Sequence, residues 1–501
     1  DLADLRRLAA WAERLGSGLM LLNPLHAVAP DVPQEPSPYF PSSRCFLNPI
    51  YLRVEEAPGA NALGEQLERL AAAGHRLNDQ RQIDRDAVFR LKQEALASIW
   101  ERTSTQPAFE EFRTEHGRPL ECFAQYCTLA EQHGRNWRAW PRQFQRPQNA
   151  AVQKFADEHA RRVLFHQWLQ WQLDQQLAGA TAELPIVHDL PIGFDPDGAD
   201  AWAWQDQLAD SCSVGAPPDA YNSQGQDWGL PPFVPHKLRA AGYAPLIHTI
   251  RAAMRHAGGL RIDHVMGLFR LFWIPRGLGA QHGTYVRYRP DELLAIVAVE
   301  SHRAGAFVVG EDLGTVEPGV REQLAAHRIL TYRVLWFEGD PPARYPELSM
   351  VAATTHDLPT IAGLWTGSDL AAQQEIGMQP SMDIVEQMRE RLKRVTGLPA
   401  NAPVDRVIEA AYRALGESPS RVVTATLEDA LQVEERPNMP ATTHERPNWS
   451  LALPGGLEAL ESSPLAAKIA AVLSEREHAT SGTRVAPAPH IGNVANRDRV
   501  V

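Results

Sequence analysis

The chain has 501 residues, 44% hydrophobic and 22% charged, with 61 acidic against 49 basic side chains for a net charge of −12. That balance excludes a disordered, collagen-like or coiled-coil chain, and no apolar run reaches the 18 residues of a membrane span. The acidic excess gives no electrostatic reason to expect nucleic acid and suits an uncharged or cationic small substrate. Four cysteines, Cys45, Cys122, Cys127 and Cys212, are too few for a disulfide scaffold and form no CxxC pair, so a reducing, cytoplasmic setting is expected. Thirteen tryptophans serve large cores or sugar-stacking platforms, and composition does not choose between them.

In chain order, the first element is an amphipathic helix over Leu2–Leu15. Seven short apolar runs bounded by Gly, Pro or Asp follow: 17–26, 184–192, 258–265, 305–314, 331–338, 350–358 and 420–429. Each precedes a helix or loop, the pattern of parallel strands with crossover helices. Eight such units make a TIM (β/α)8 barrel. The opening helix would follow a first strand, so that strand is expected upstream of Asp1, missing from the chain.

The rhythm divides the chain. Residues 1–44 start the barrel. Residues 45–180 form a helical insertion, with periodicity over Leu63–Ala73, Ala87–Trp100 and Val152–Leu177. Residues 181–365 form the central barrel, 366–418 a second helical insertion, 419–475 the end of the barrel and 476–501 a mobile tail. Segment Thr284–Tyr288 carries no assignable motif.

Three carboxylates lie just past three strand runs: Asp263 in GLRIDH, Glu311 in VVGEDLG and Asp357 in TTHDLP. In a parallel barrel all strand ends reach one face, so acids 48 and 46 residues apart share one site. Paired carboxylates are what glycosidic cleavage needs, one as nucleophile or base and one as acid on the leaving oxygen. A single such Asp is commonly a helix N-cap; three in polar motifs are harder to explain that way. Arg261, two residues before Asp263, faces the same side and is expected to lower the acid's pKa. His264 and His356 flank the two aspartates and suit hydrogen bonds to sugar hydroxyls. They are also metal-ligand types, but no third ligand has recognisable spacing.

GLRIDH, GEDLG and THDLP in this order resemble the alpha-amylase clan, and most closely the amylomaltase family of 4-alpha-glucanotransferases, the disproportionating enzymes. SPYFPSSRCFLNPIYL (37–52), DLPIGFDPDGADAW (189–202), VGAPPDAYNSQGQDWGLPPF (214–233) and VEERPNMPATTHERPNWSLALP (433–454) are similar to further segments of that family, over about residues 1–475. The resemblance implies Asp263 as nucleophile, Glu311 as general acid/base and Asp357 as transition-state stabiliser. It implies Arg261, His264 and His356 around the first sugar subsite and Tyr39 near the substrate. Asp219, Tyr221, Gln226 and Trp228 fall on the loop covering the acceptor region. Trp228 either stacks on a glucose face or anchors its loop. Ala441 stands where the RPN stretch usually carries Gly, which implies strain in a turn. The implied partners are maltodextrins and other alpha-1,4-glucans as donor and acceptor, with no cofactor, metal, nucleic acid or membrane.

Overall fold

The computed structural model describes residues 1–103, 106–218 and 224–480. Seven strands, β1 (Met20–Leu21), β2 (Ile186–Leu190), β3 (Gly259–Ile262), β4 (Phe307–Gly310), β5 (Leu330–Val334), β6 (Ser349–Ala352) and β7 (Val422–Thr424), pair side by side in chain order. Every pairing is parallel. Strands β2, β3, β5 and β6 are buried along their whole length, which is why they read as continuous runs rather than alternating ones. The array is a nearly closed TIM-like barrel, as the strand–helix rhythm predicts. It stays open between β7 and β1, where a cavity of about 630 Å³ is lined by Leu21, Val422, Thr424 and the helical residues Trp11 and Ile469.

The strands are shorter than the apolar runs, for identifiable reasons. Run 17–26 yields only β1, because Pro24 cannot donate to a ladder and His26–Ala27 leaves to pair antiparallel with Ser43–Leu47. Run 420–429 ends at Thr424, because Thr426 Oγ1 accepts from Asp429 N and caps a helix over Leu427–Ala430. Strand Ser43–Leu47 crosses the expected boundary at 45. A helix over Pro464–Thr480 crosses the expected start of the tail at 476. Residues 481–501 lie outside the described residues.

The opening helix spans Leu2–Arg14, with Asp1 accepting from Ala3 N and Asp4 N as its cap. Between β1 and β2 lie helices Glu65–Leu77, Arg85–Arg102, Pro107–His133, Ala150–Glu158 and Ala160–Ala180. The 152–177 periodicity is therefore two helices, broken at His159. The stretch 107–133 begins with Pro at its first position, where a missing N–H costs nothing, and is two helices that meet at a kink at Gly117, φ 50° and ψ −135°. Six tryptophans, Trp100, Trp137, Trp140, Trp168, Trp171 and Trp202, pack into the apolar cluster these helices form. Their abundance thus serves mainly a core.

A second sheet stands outside the barrel. Its four antiparallel strands run Gln226–Leu230, Cys212–Ala216, Arg270–Pro275 and Thr284–Arg287 in spatial order. They come from the loops after β2 and β3. The unassigned Thr284–Tyr288 segment supplies the outer strand, and the segment carrying Gln226 and Trp228 is the opposite edge.

Candidate active site

Register builds the site. Asp189 on β2 is paired with Arg261 on β3, and Arg261 with Val309 on β4. One step further, Asp263 N donates to Leu190 O at 3.0 Å and Glu311 N to Ile262 O at 3.0 Å. Asp263 and Glu311 therefore leave adjacent strands at the same level, and such strands lie about 4.8 Å apart. Both point to one side, two residues beyond the Arg261 layer.

Arg261 is buried and single-minded. Its Nη1 donates to both oxygens of Asp189, at 2.6 and 2.7 Å, and lies 3.2 Å from Asp263 Oδ1. Its guanidinium also sits 5.6 Å from the Tyr332 ring centroid. Tyr39 Oη donates to Asp189 Oδ2 at 2.5 Å and approaches His356 Nδ1 at 3.3 Å. Asp189 is thus a fully engaged anion whose job is to hold Arg261 and Tyr39. It lies in the DLPI segment, yet its role is invisible there: only the β2–β3 register brings it to Arg261.

Glu311 is buried and accepts two backbone N–H groups, from His264 at 2.9 Å and Leu313 at 2.6 Å. His264 has a left-handed backbone, φ 46° and ψ 61°, which aims that N–H. Such strain in a non-glycine residue persists where the surroundings over-determine it. Burial, and then the negative Asp263, push Glu311 up to about 7. Burial also pushes Asp263 up to about 6, against the pull of Arg261. The expectation that Arg261 holds Asp263 below its ordinary range is corrected here. Arg261 pulls in that direction, but Asp189 shares the cation and adds its own negative charge. Burial pushes His264 down to about 4, with Arg270 adding to it. His264 is therefore a neutral imidazole near pH 7.

Asp357 lies in the turn after β6. His356 Nε2 is 3.4 Å from its Oδ2, and Asn438 Nδ2 donates to its Oδ1 at 2.7 Å. Burial opposes ionisation of Asp357, but His356 and these hydrogen bonds outweigh it, so its carboxyl stays below the usual range. Burial works to lower His356, but Asp357 outweighs it and raises His356 in return. Trp449 closes this side, its ring 5.4 Å from Tyr39 and 5.0 Å from His356. Arg436 Nη1 donates to Asp357 O at 2.9 Å while its other nitrogens pair with buried Asp369. Asn438, Trp449 and Arg436 went unassigned in the sequence, although all lie in the RPN…RPNW stretch. Ala441 in that stretch has φ 66°, the left-handed conformation that favours glycine.

Trp228 stands on the outer sheet, edge-on to His264 with ring centroids 5.4 Å apart. Its Nε1 donates to Gln226 Oε1 at 3.0 Å, which fixes the pair relative to each other. The structure thus gathers Tyr39, Arg261, Asp263, His264, Glu311, His356 and Asp357 into one cluster, with Trp228 against its edge. Asp219 and Tyr221 lie outside the described residues.

Two carboxyls with raised pKa values at adjacent strand ends, plus a third kept ionised, form the arrangement that glycosidic bond chemistry uses. A family model described as 4-alpha-glucanotransferase, glycoside hydrolase family 77, matches residues 1–457. The chain belongs to this 4-alpha-glucanotransferase family. A 4-alpha-glucanotransferase of Mycobacterium tuberculosis is 43% identical over 496 residues, covering 91% of this chain and 68% of that protein. That of Haemophilus influenzae is 32% identical, covering 90% and 72%. The crystal structure of amylomaltase from Corynebacterium glutamicum superposes with a TM-score of 0.84 at 32% identity, covering 94% of this chain and 72% of that one. An amylomaltase from Streptococcus agalactiae in complex with acarbose shares the fold, with a TM-score of 0.75 at 17% identity and 94% of each chain covered.

The paired acids set a pH window for this 4-alpha-glucanotransferase family member. With the nucleophile and acid/base roles that the resemblance implies, turnover needs Asp263 ionised and Glu311 protonated. Activity at low substrate rises as pH climbs through about 6, where Asp263 loses its proton. It falls as pH passes about 7, where Glu311 loses its own. The two limbs belong to the coupled pair. A kcat/KM profile of product formation checks this; a plateau extending past pH 9 contradicts it.

Proposed function

We propose that the chain transfers alpha-1,4-glucan segments between maltodextrins by a retaining double displacement. Asp263 attacks the anomeric carbon while protonated Glu311 gives its proton to the leaving glycosidic oxygen. A covalent glucosyl-Asp263 ester forms, and the shortened glucan leaves. Glu311, now a carboxylate, takes the proton from the 4-hydroxyl of an acceptor glucan, whose oxygen displaces Asp263. Two inversions restore the alpha linkage. Asp357, held by Asn438 and His356, is placed to bind hydroxyls of the sugar being transferred. Neutral His264 and the Tyr39–Trp449 wall suit an uncharged, ring-shaped ligand.

The observation that carries this reading is the placement of buried Glu311 beside Asp263 on adjacent strands, with Asp263 in ion-pair reach of Arg261. Burial favours the proton on Glu311 and the fixed cation favours charge on Asp263, the division of labour that double displacement requires. Donor and acceptor are both neutral glucans, consistent with a chain of net charge −12. Four free cysteines fit a reducing cytoplasm, and no described helix is long and apolar enough to cross a membrane.

Incubation with maltotriose followed by chromatography tests the function. A ladder of longer maltodextrins with released glucose is expected. Glucose and maltose without longer products make the chain a hydrolase. No product leaves a glucan-binding role.

A further inference from the structure

An acidic residue ties the outer sheet that carries Trp228 to the segment that leaves Glu311. Arg270 and Arg287 stand directly opposite each other on neighbouring strands of that sheet. Like charges in that position repel and destabilise a strand pair. An anion from elsewhere resolves the conflict. Glu317, six residues beyond Glu311, places Oε1 at 3.1 Å from Arg270 Nη1 and 2.8 Å from Arg287 Nη2. Its Oε2 accepts from Arg287 Nη1 at 3.3 Å. Arg270 is further held over the Tyr285 ring, 3.7 Å from its centroid.

The location matters. Arg270 opens the strand that follows the turn after Asp263 and lies near enough to act on His264. Glu317 rides on the segment that leaves Glu311. The carboxylate therefore joins three parts: the Asp263 segment, the Glu311 loop and the outer sheet. Across that sheet, Trp273 and Phe272 pair with Val214 and Gly215, and Gly215 with Asp227 beside Trp228. Leu271, Trp273, Val214, Leu230 and Trp228 form one apolar cluster with Phe40 and Ile192. A shift of the Arg270 end is thus carried to Trp228 through packed side chains.

We infer that Glu317 is a positioning residue that holds the outer sheet, and Trp228 at its edge, over the site, and so favours a glucan over water as acceptor. Exclusion of water from the glucosyl-enzyme depends on the cover staying down. With Glu317 neutralised, the two arginines oppose each other uncompensated and the sheet loosens at the end nearest the acids. Donor cleavage continues, because Asp263, Glu311 and Asp357 keep their own partners. This inference rests on the transfer reading above.

The test compares the products of maltotriose for the wild-type chain, Glu317→Gln, Glu317→Asp and the double variant Glu317→Gln/Arg287→Gln. The readout is the ratio of longer glucans to reducing ends newly formed by water. A charge-assisted pair of this kind corresponds to about a five- to tenfold fall in that ratio for Glu317→Gln. Glu317→Asp keeps the charge and recovers most of it. The double variant Glu317→Gln/Arg287→Gln loses the tie without the like-charge conflict, so its ratio falls less than that of Glu317→Gln, and it covers the case in which Glu317→Gln does not fold. Equal losses of transfer and hydrolysis, or an unchanged ratio in both Glu317→Gln and the double variant, overturn the inference. A wild-type chain that makes no longer glucans overturns the transfer reading itself, which separates the two failures.

Discussion

Glu311→Gln lowers maltotriose turnover on the order of 10⁴- to 10⁶-fold, and Asp263→Asn does the same, because the two act as one unit. The variants part company with an activated donor such as alpha-maltosyl fluoride. Fluoride leaves without a proton, so Glu311→Gln still forms the glucosyl ester on Asp263. The second step then stalls for want of a base. Intact mass of Glu311→Gln under these conditions shows an added maltosyl group, and peptide mapping places it on Asp263. Asp263→Asn shows none. Azide, which needs no base, releases the stalled intermediate of Glu311→Gln as an alpha-glycosyl azide. A beta product would falsify the retaining assignment, since it corresponds to one inversion.

Asp189→Ala is the second large effect, and it acts on stability as well as rate. Asp189 and Arg261 are both buried, and one Arg261 nitrogen bonds both carboxylate oxygens. Removing one partner of such a pair costs about 3–5 kcal/mol, because the other charge is stranded. Asp263 remains 3.2 Å from Arg261, which places the loss at the low end of that range. The urea midpoint falls accordingly. Tyr39 loses its acceptor too, and the loosened Arg261 lowers kcat by about 10²-fold through misplacement. The pH profile supplies the distinguishing sign. Asp189 raises Asp263, so its removal lets Asp263 ionise at lower pH, and the acidic limb moves down from about 6. A limb that moves upward contradicts this account of the cluster.

Much of this was legible in the residues alone. Buried strands read as short apolar runs with Gly, Pro or Asp at their ends, and a parallel barrel gathers those ends on one face. Asp263, Glu311 and Asp357 could be placed together for that reason, and the motifs around them named the family. Periodicity marked helices over 63–73, 87–100 and 152–177, but not the helical stretch Pro107–His133 or the break at His159. What sequence could not supply was pairing across the chain. Asp189 and Arg261 are 72 residues apart, Asn438 and Asp357 81 apart, and nothing local announces either contact. The outer sheet carries no such signal, because its antiparallel strands of four to six residues mix buried with partly exposed positions and lack the continuous apolar run of barrel strands. The sign of the Asp263 shift is hidden from the sequence for a related reason. A neighbouring cation two residues away is visible in sequence, but burial and the competing Asp189 are not. Residue types and local periodicity determined the fold class and the candidate reacting groups. Register and burial, which exist only once distant segments pack, decided their charge states, their partners and what covers them.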